Sequence, residues 1–168
     1  HGAIDWADAF AWLSDFRAGE PIAEIQYWGH GKWGTVFVAQ DAWNVHAFDL
    51  AHPHGEVLAS LRARMLPEAR SLVWFRTCET FGARAGHAFA VRVSNFWGAR
   101  VAGHTHVIGA LQSGLHGLRP GELPRWSDAE GLARGTPEAP LLAKGSSPKA
   151  PHTIHFMNNA VPDPWFES

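Results

Sequence analysis

The chain has 168 residues, 14 Lys and Arg against 16 Asp and Glu, a formal charge of −2, one cysteine, nine tryptophans and eleven histidines. A chain of this length can bury a core without a disulfide or metal, and one cysteine cannot form an internal disulfide, so the expectation is one cytoplasmic domain over residues 1–168. The near-neutral charge gives no electrostatic case for nucleic acid or an anionic membrane, and no apolar run approaches the ~20 residues of a membrane span.

In chain order, "DWADAFAWLSDFRAG" sets Trp6, Phe10, Leu13 and Phe16 at helical spacing, with Gly19 as a stop. After Pro21, "IAEIQYW" has the short, near-continuous apolar character of a strand covered on both faces. "GTVFVAQDAWNVHAF" predicts one or two strands turning at Gln40–Asp41. A helix over 56–66 puts Val57, Leu58, Leu61 and Met65 on one side and ends before Pro67. "SLVWFRT" is a second buried strand, residues 82–98 a helix closed by Gly98, and "RVAGHTHVIGAL" a third strand. Strands alternating with helices predict an α/β fold with a mainly parallel sheet flanked by helices. The core is expected over residues 6–109. Residues 112–168 are rich in Gly, Pro and Ser and predict loops, with a last strand in "HTIHFMNNAV".

Two apolar runs end on chemistry. "IQYWGHG" ends at His30 between two glycines, and "SLVWFRTC" ends at Cys78, the single cysteine. In an open parallel sheet, ligands bind beyond the carboxyl ends of the strands. A crossover helix between the two runs makes the strands parallel and adjacent, so His30 and Cys78 are expected in one crevice. There an imidazole would activate the thiol as a nucleophile, helped by the following helix N-terminus. The amides of Gly31 and Cys78 are candidates for an oxyanion hole. His104 closes the third strand end beside the pair, and Trp33 follows His30. The loop after Gln112 brings Arg119 and Trp126 as candidate substrate contacts. Within it Ser113, His116 and Glu122 could suggest a triad, but no G-x-S-x-G elbow carries the serine.

The histidines support a rival zinc reading through His104 and His106, His52 and His54, and His152 and His155. Zinc takes three or four such ligands, yet there is no second cysteine and no H-E-x-x-H spacing, so no metal or other cofactor is expected.

An apolar block ending in "YWGHG", then one ending in "RTC" 48 residues after the histidine and followed by Gly82, resembles the caspase-like (caspase–hemoglobinase) cysteine peptidases, bacterial and metacaspase-like relatives in particular. The resemblance covers residues 6–109. It implies a caspase-like α/β/α sandwich and an endopeptidase acting on proteins or peptides. His30 falls at the position of that family's proton-transfer residue, Cys78 at its nucleophile and Gly31 at its oxyanion hole. The family also carries a strand–helix–strand unit ahead of the position of Trp6, so an upstream partner segment or a larger assembly is expected. Metacaspase-like relatives place an acidic residue two before the cysteine, where this chain has Arg76. That reversal implies cleavage after an acidic or uncharged residue, with Arg76 binding substrate. The alternatives are a catalytically inactive caspase-like interaction module and, behind it, the zinc reading.

Overall fold

A computed structural model describes residues 1–49 and 51–166. Helix α1 (Trp6–Asp15) begins where the Asp5 carboxylate accepts the Asp8 amide at 2.7 Å, and it buries Trp6 and Phe10. It ends at Asp15, before Gly19, because Phe16 is already extended. Strand β1 (Glu24–Trp28) follows. The chain then forms a separate antiparallel sheet of β2 (His30–Lys32), β3 (Thr35–Val38) and β4 (Asp41–Trp43). Trp33 and Gly34, at φ 36° and 78°, make the two-residue turn between β2 and β3; paired positive φ values match the twist of a hairpin. A 3-10 turn (Val45–Phe48) leads towards α2 (Gly55–Ala63), which ends short of residue 66.

The five residues of β5 (Leu72–Arg76) are all buried. Helix α3 (Ala83–Trp97) is closed by Gly98 at φ 60°, whose amide reaches the Ser94 carbonyl. Then come β6 (Arg100–His104), β7 (Leu111–Gln112), β8 (Leu115–Leu118), β9 (Leu132–Gly135), β10 (Pro140–Ala143) and β11 (Ile154–His155). A second 3-10 turn (Asp163–Phe166) completes the described chain.

The fold is mixed α/β. Its main sheet has the order β1-β5-β6-β8; the first three strands are parallel and β8 is antiparallel to β6. The expected adjacency of the first two strands is present, in a register that sets Trp28 opposite Arg76. One face of the sheet packs Val73, Phe75 and Val101 against all three helices, through Phe10, Leu61, Phe89 and Trp97 among others. The other face packs Leu72, Trp74, Ala102 and Leu115 against Ile154, Val161 and Phe166. The expectation of helices on both faces is therefore corrected: among the described residues the second face is covered by the C-terminal segment. The loop-rich reading of 112–168 needs the same correction, since β8 is a strand of the main sheet and β9 with β10 forms a hairpin. Among the described residues, no helix is long and apolar enough to cross a membrane.

Candidate functional site

The glycines around His30 have a steric cause. A Cβ on Gly29 would collide with the Tyr27 hydroxyl, which donates to the Phe37 carbonyl beneath it. Burial pushes the Tyr27 phenol up to about 12, so it remains a donor at neutral pH. A Cβ on Gly31 would collide with the Thr80 hydroxyl and lie 2.7 Å from that of Thr77. The Trp33 amide donates to the Glu79 carbonyl at 3.1 Å and the Gly34 amide to the Thr80 carbonyl at 2.8 Å. The strand that carries His30 is thus fastened along the segment that carries Cys78. His30 is not the last residue of β1 but the first of β2, and it is exposed.

Cys78 is half-buried, and its thiol donates to the Ile108 carbonyl at 3.9 Å. Among the described residues no hydrogen bond joins it to His30. Burial pushes the thiol pKa up, and the Glu79 carboxylate adds to this. Helix α3 begins five residues after Cys78, beyond the reach of its terminal dipole, so the expected thiolate stabilisation by that helix is corrected. The third strand end holds the Cys78 segment from the other side: the amides of Glu79 and Phe81 both donate at 2.9 Å, to the carbonyls of His106 and His104.

Arg76 is 2% exposed. Its guanidinium lies 3.9 Å from the Trp28 ring centre and 4.2 Å from that of Trp74. It donates to the Asn158 carbonyl at 2.8 Å, the Phe156 carbonyl at 2.6 Å and the Gln112 side-chain oxygen at 3.0 Å, while its Nε–H has no partner. It lines an open pocket of about 450 Å3 with Trp28, Gly29, Ile108 and Phe156. The pocket therefore shares Ile108 with the thiol.

The other candidate substrate contacts fall away from this pocket. His104 is sealed in the interior, with Nδ1 3.3 Å from the Ser113 carbonyl and Nε2 without a partner. Desolvation takes its pKa down to about 3, so it is a neutral core ring out of substrate reach. Arg119 follows β8, whose antiparallel course carries the chain away from the carboxyl ends of β1 and β5; it emerges at the opposite end of the sheet. Trp126 packs behind the Cys78 segment, donating to the Phe81 carbonyl at 3.1 Å and stacking on Phe81 and His116. Trp33 turns back over Gly82 with the Lys32 ammonium 4.7 Å from its ring centre.

Among the described residues no group of three or more His, Cys, Asp or Glu is placed to hold a metal ion, although His104, His106 and His152 all lie near His116. His116 instead meets Glu130 at 2.6 Å, and Thr105 donates to the same carboxylate at 2.8 Å and meets His106 at 2.9 Å. Burial raises the Glu130 pKa, but these hydrogen bonds and the nearby imidazoles outweigh it and hold the group below its ordinary value. No motif or spacing points to Glu130, which reaches the cluster through a long loop. Gln112 and the carbonyls of Phe156 and Asn158 likewise carry no spacing that links them to Arg76. Set against protein-family models, curated proteins and solved structures, the chain matches none.

Proposed function

We propose that this chain is a cysteine peptidase of the caspase-like type, with Cys78 as nucleophile and His30 as proton acceptor and donor. The observation that carries the reading is the register of β1 and β5. Trp28 is paired with Arg76, and His30 and Cys78 each come two residues beyond these neighbouring strand ends, His30 on β2 and Cys78 in the loop after β5. The contact of Gly31 with Thr77 and Thr80 keeps the two segments together beyond the sheet. With a peptide bound, the Cys78 proton passes to His30 and the sulfur bonds to the carbonyl carbon. The C–N bond then breaks, the amine leaves with the His30 proton, and water hydrolyses the thioester. In a two-residue hairpin closed by Lys32 and Thr35, the Gly31–Val36 pair does not exchange ladder bonds, which leaves the Gly31 amide for the oxyanion. Arg76 in the adjoining pocket favours an acidic or uncharged residue before the scissile bond and repels Lys or Arg.

A second reading, an inactive interaction module, is favoured by one observation. The thiol is raised in pKa and bonded to a carbonyl, the opposite of a resting thiolate. Peptidyl acyloxymethyl ketones ending in Asp, Gln or Lys distinguish the two. The peptidase reading expects Cys78 to be labelled, faster by Asp or Gln than by Lys, and roughly 100-fold slower in His30→Ala. Labelling that ignores His30→Ala, or that occurs at the rate of a free thiol, supports the module. A preference for Lys removes the assigned role of Arg76.

A further inference from the structure

A groove of about 490 Å3 lies between α1 and β1, the outermost strand of the main sheet, and residues 25–30 all line it. Successive side chains of an extended chain point to opposite faces, so a hollow that meets every residue of this run follows its edge. The wall away from the edge is aromatic, with Trp6, Phe10, Trp43 and Phe75, and no Asp, Glu, Lys or Arg lines the groove.

The outer edge of β1 is unpaired. The Leu72 amide donates to the Ala23 carbonyl at 2.9 Å, so in the parallel register Ala23, Ile25 and Tyr27 turn their amides and carbonyls towards β5. Those of Glu24, Gln26 and Trp28 turn outward, and none is hydrogen-bonded among the described residues. The side chains of these three are engaged with one another along the strand: Gln26 donates to the Glu24 carboxylate at 2.7 Å, and the Trp28 indole to the Gln26 side-chain oxygen at 3.1 Å. Such a row of open backbone groups is a template for one more strand.

We infer that the outer edge of β1 docks an extended peptide as an added strand, with apolar residues in the groove and Lys or Arg alternating with them on the side of Glu24. Backbone pairing supplies the affinity of such a site, and the hollow beside it selects alternate side chains. Charge decides the partner. α1 with its cap and β1 carry Asp5, Asp8, Asp15 and Glu24 and no Lys or Arg. Asp8 meets His1, whereas Asp15 and Glu24 are exposed and in no ion pair among the described residues. The two arginines that approach are already bonded to oxygens of this chain, Arg64 to the carbonyls of Leu13, Phe16 and Glu20 among others, Arg76 to those of Phe156 and Asn158. A second copy of the chain fits less well, because it would bring the same carboxylates. Five residues of edge, about 17 Å, are also short for the ~1,200 Å2 that a stable dimer buries. The site stands without the peptidase reading, although His30 also lines the groove.

The probe is a fluorescein-labelled peptide, Thr-Val-Lys-Phe-Lys-Val-Thr, with binding read by fluorescence anisotropy. Two further peptides are N-methylated at alternate residues, one at Val and Phe, the other at Thr and Lys. Only one of these sets of amides can face β1, so one methylated peptide should bind at least about ten-fold more weakly than the parent and the other within about three-fold of it. The one that fails tells whether the added strand runs parallel or antiparallel to β1. Exchanging both lysines for glutamate should weaken binding by about three-fold or more at low salt. Gln26→Pro removes one outward amide and no bond to β5, a change that edge strands tolerate. It should weaken binding by about ten-fold with the far-ultraviolet circular dichroism unchanged. Failure of the parent peptide to bind, equal binding of the two methylated peptides, no penalty for glutamate, or parent-like binding by Gln26→Pro overturns the inference. So does sedimentation showing a dimer that Gln26→Pro dissociates, since the edge then belongs to a second copy.

Discussion

Position 31 is occupied by glycine for a reason that lies in two threonines on another strand end. The Thr77 and Thr80 hydroxyls bond to each other and stand where a Gly31 Cβ would be. Both threonines are buried, so neither can rotate into solvent to make room. Gly31→Ala should therefore cost about 2 kcal/mol, the ordinary penalty for overpacking. Thr80→Ala removes the nearer hydroxyl, and the double variant should be less destabilised than the sum of the two single changes. Urea unfolding of the four proteins measures that coupling. Full stability in Gly31→Ala would show that the hairpin shifts freely against the Cys78 segment, and would weaken the spatial link on which the dyad depends.

Among the elements, the C-terminal segment takes the place of a helical layer, and one arginine pins it. Arg76 reaches from the end of β5 to the carbonyls of Phe156 and Asn158, which lie between β11 and the last 3-10 turn. Arg76→Met keeps the apolar stem between Trp28 and Trp74 but removes three hydrogen bonds. Amide exchange should then accelerate by roughly ten-fold or more over residues 154–161 while β5 and β6 stay protected, as expected of a local opening. Uniform acceleration across the sheet would mean that Arg76 supports the whole fold instead. This pinning was hidden in the sequence because carbonyl acceptors carry no residue signature. By contrast, β5 and β6 were readable, since strands inside a sheet are largely apolar, whereas β1, expected to be covered on both faces, is an edge strand with Glu24, Gln26 and Trp28 exposed. β8 was not: "LHGL" is short, carries a histidine and lies among glycines, and it becomes a strand only by pairing with β6. β2 was concealed likewise, being "HGK" on a hairpin whose partner strands supply the apolar content. Of the candidate site, the adjacency of β1 and β5, which lead into His30 and Cys78, could be read from the crossover. The raised thiol pKa and the burial of His104 could not, since both depend on loops that return from beyond residue 105.

At the scale of the whole molecule, the buried imidazoles make stability depend on acid. His104 is neutral in the fold down to about pH 3, first by desolvation and then by the positive or protonatable groups that face it, Arg76, His116 and His106. In the unfolded chain it takes a proton near its ordinary value of 6.5. Between those values the unfolded state binds the extra proton, so stability rises with pH and is lost as pH falls, by at most ~1.4 kcal/mol per pH unit for one group. His87, His106 and His152 are also lowered, chiefly by burial, and act in the same direction. Glu130, held below its ordinary value of 4.5, adds a loss that begins lower, as its carboxylate takes a proton in the unfolded chain first. Urea midpoints should therefore fall steadily from pH 6.5 to pH 4, and His104→Gln should flatten that slope by about one proton's worth. Imidazole carbon shifts of His104 in the folded protein should stay at their neutral values down to pH 4.5. A protonated His104 at pH 5.5, or an unchanged slope in His104→Gln, would place the acid sensitivity elsewhere and would imply that water reaches the third strand end.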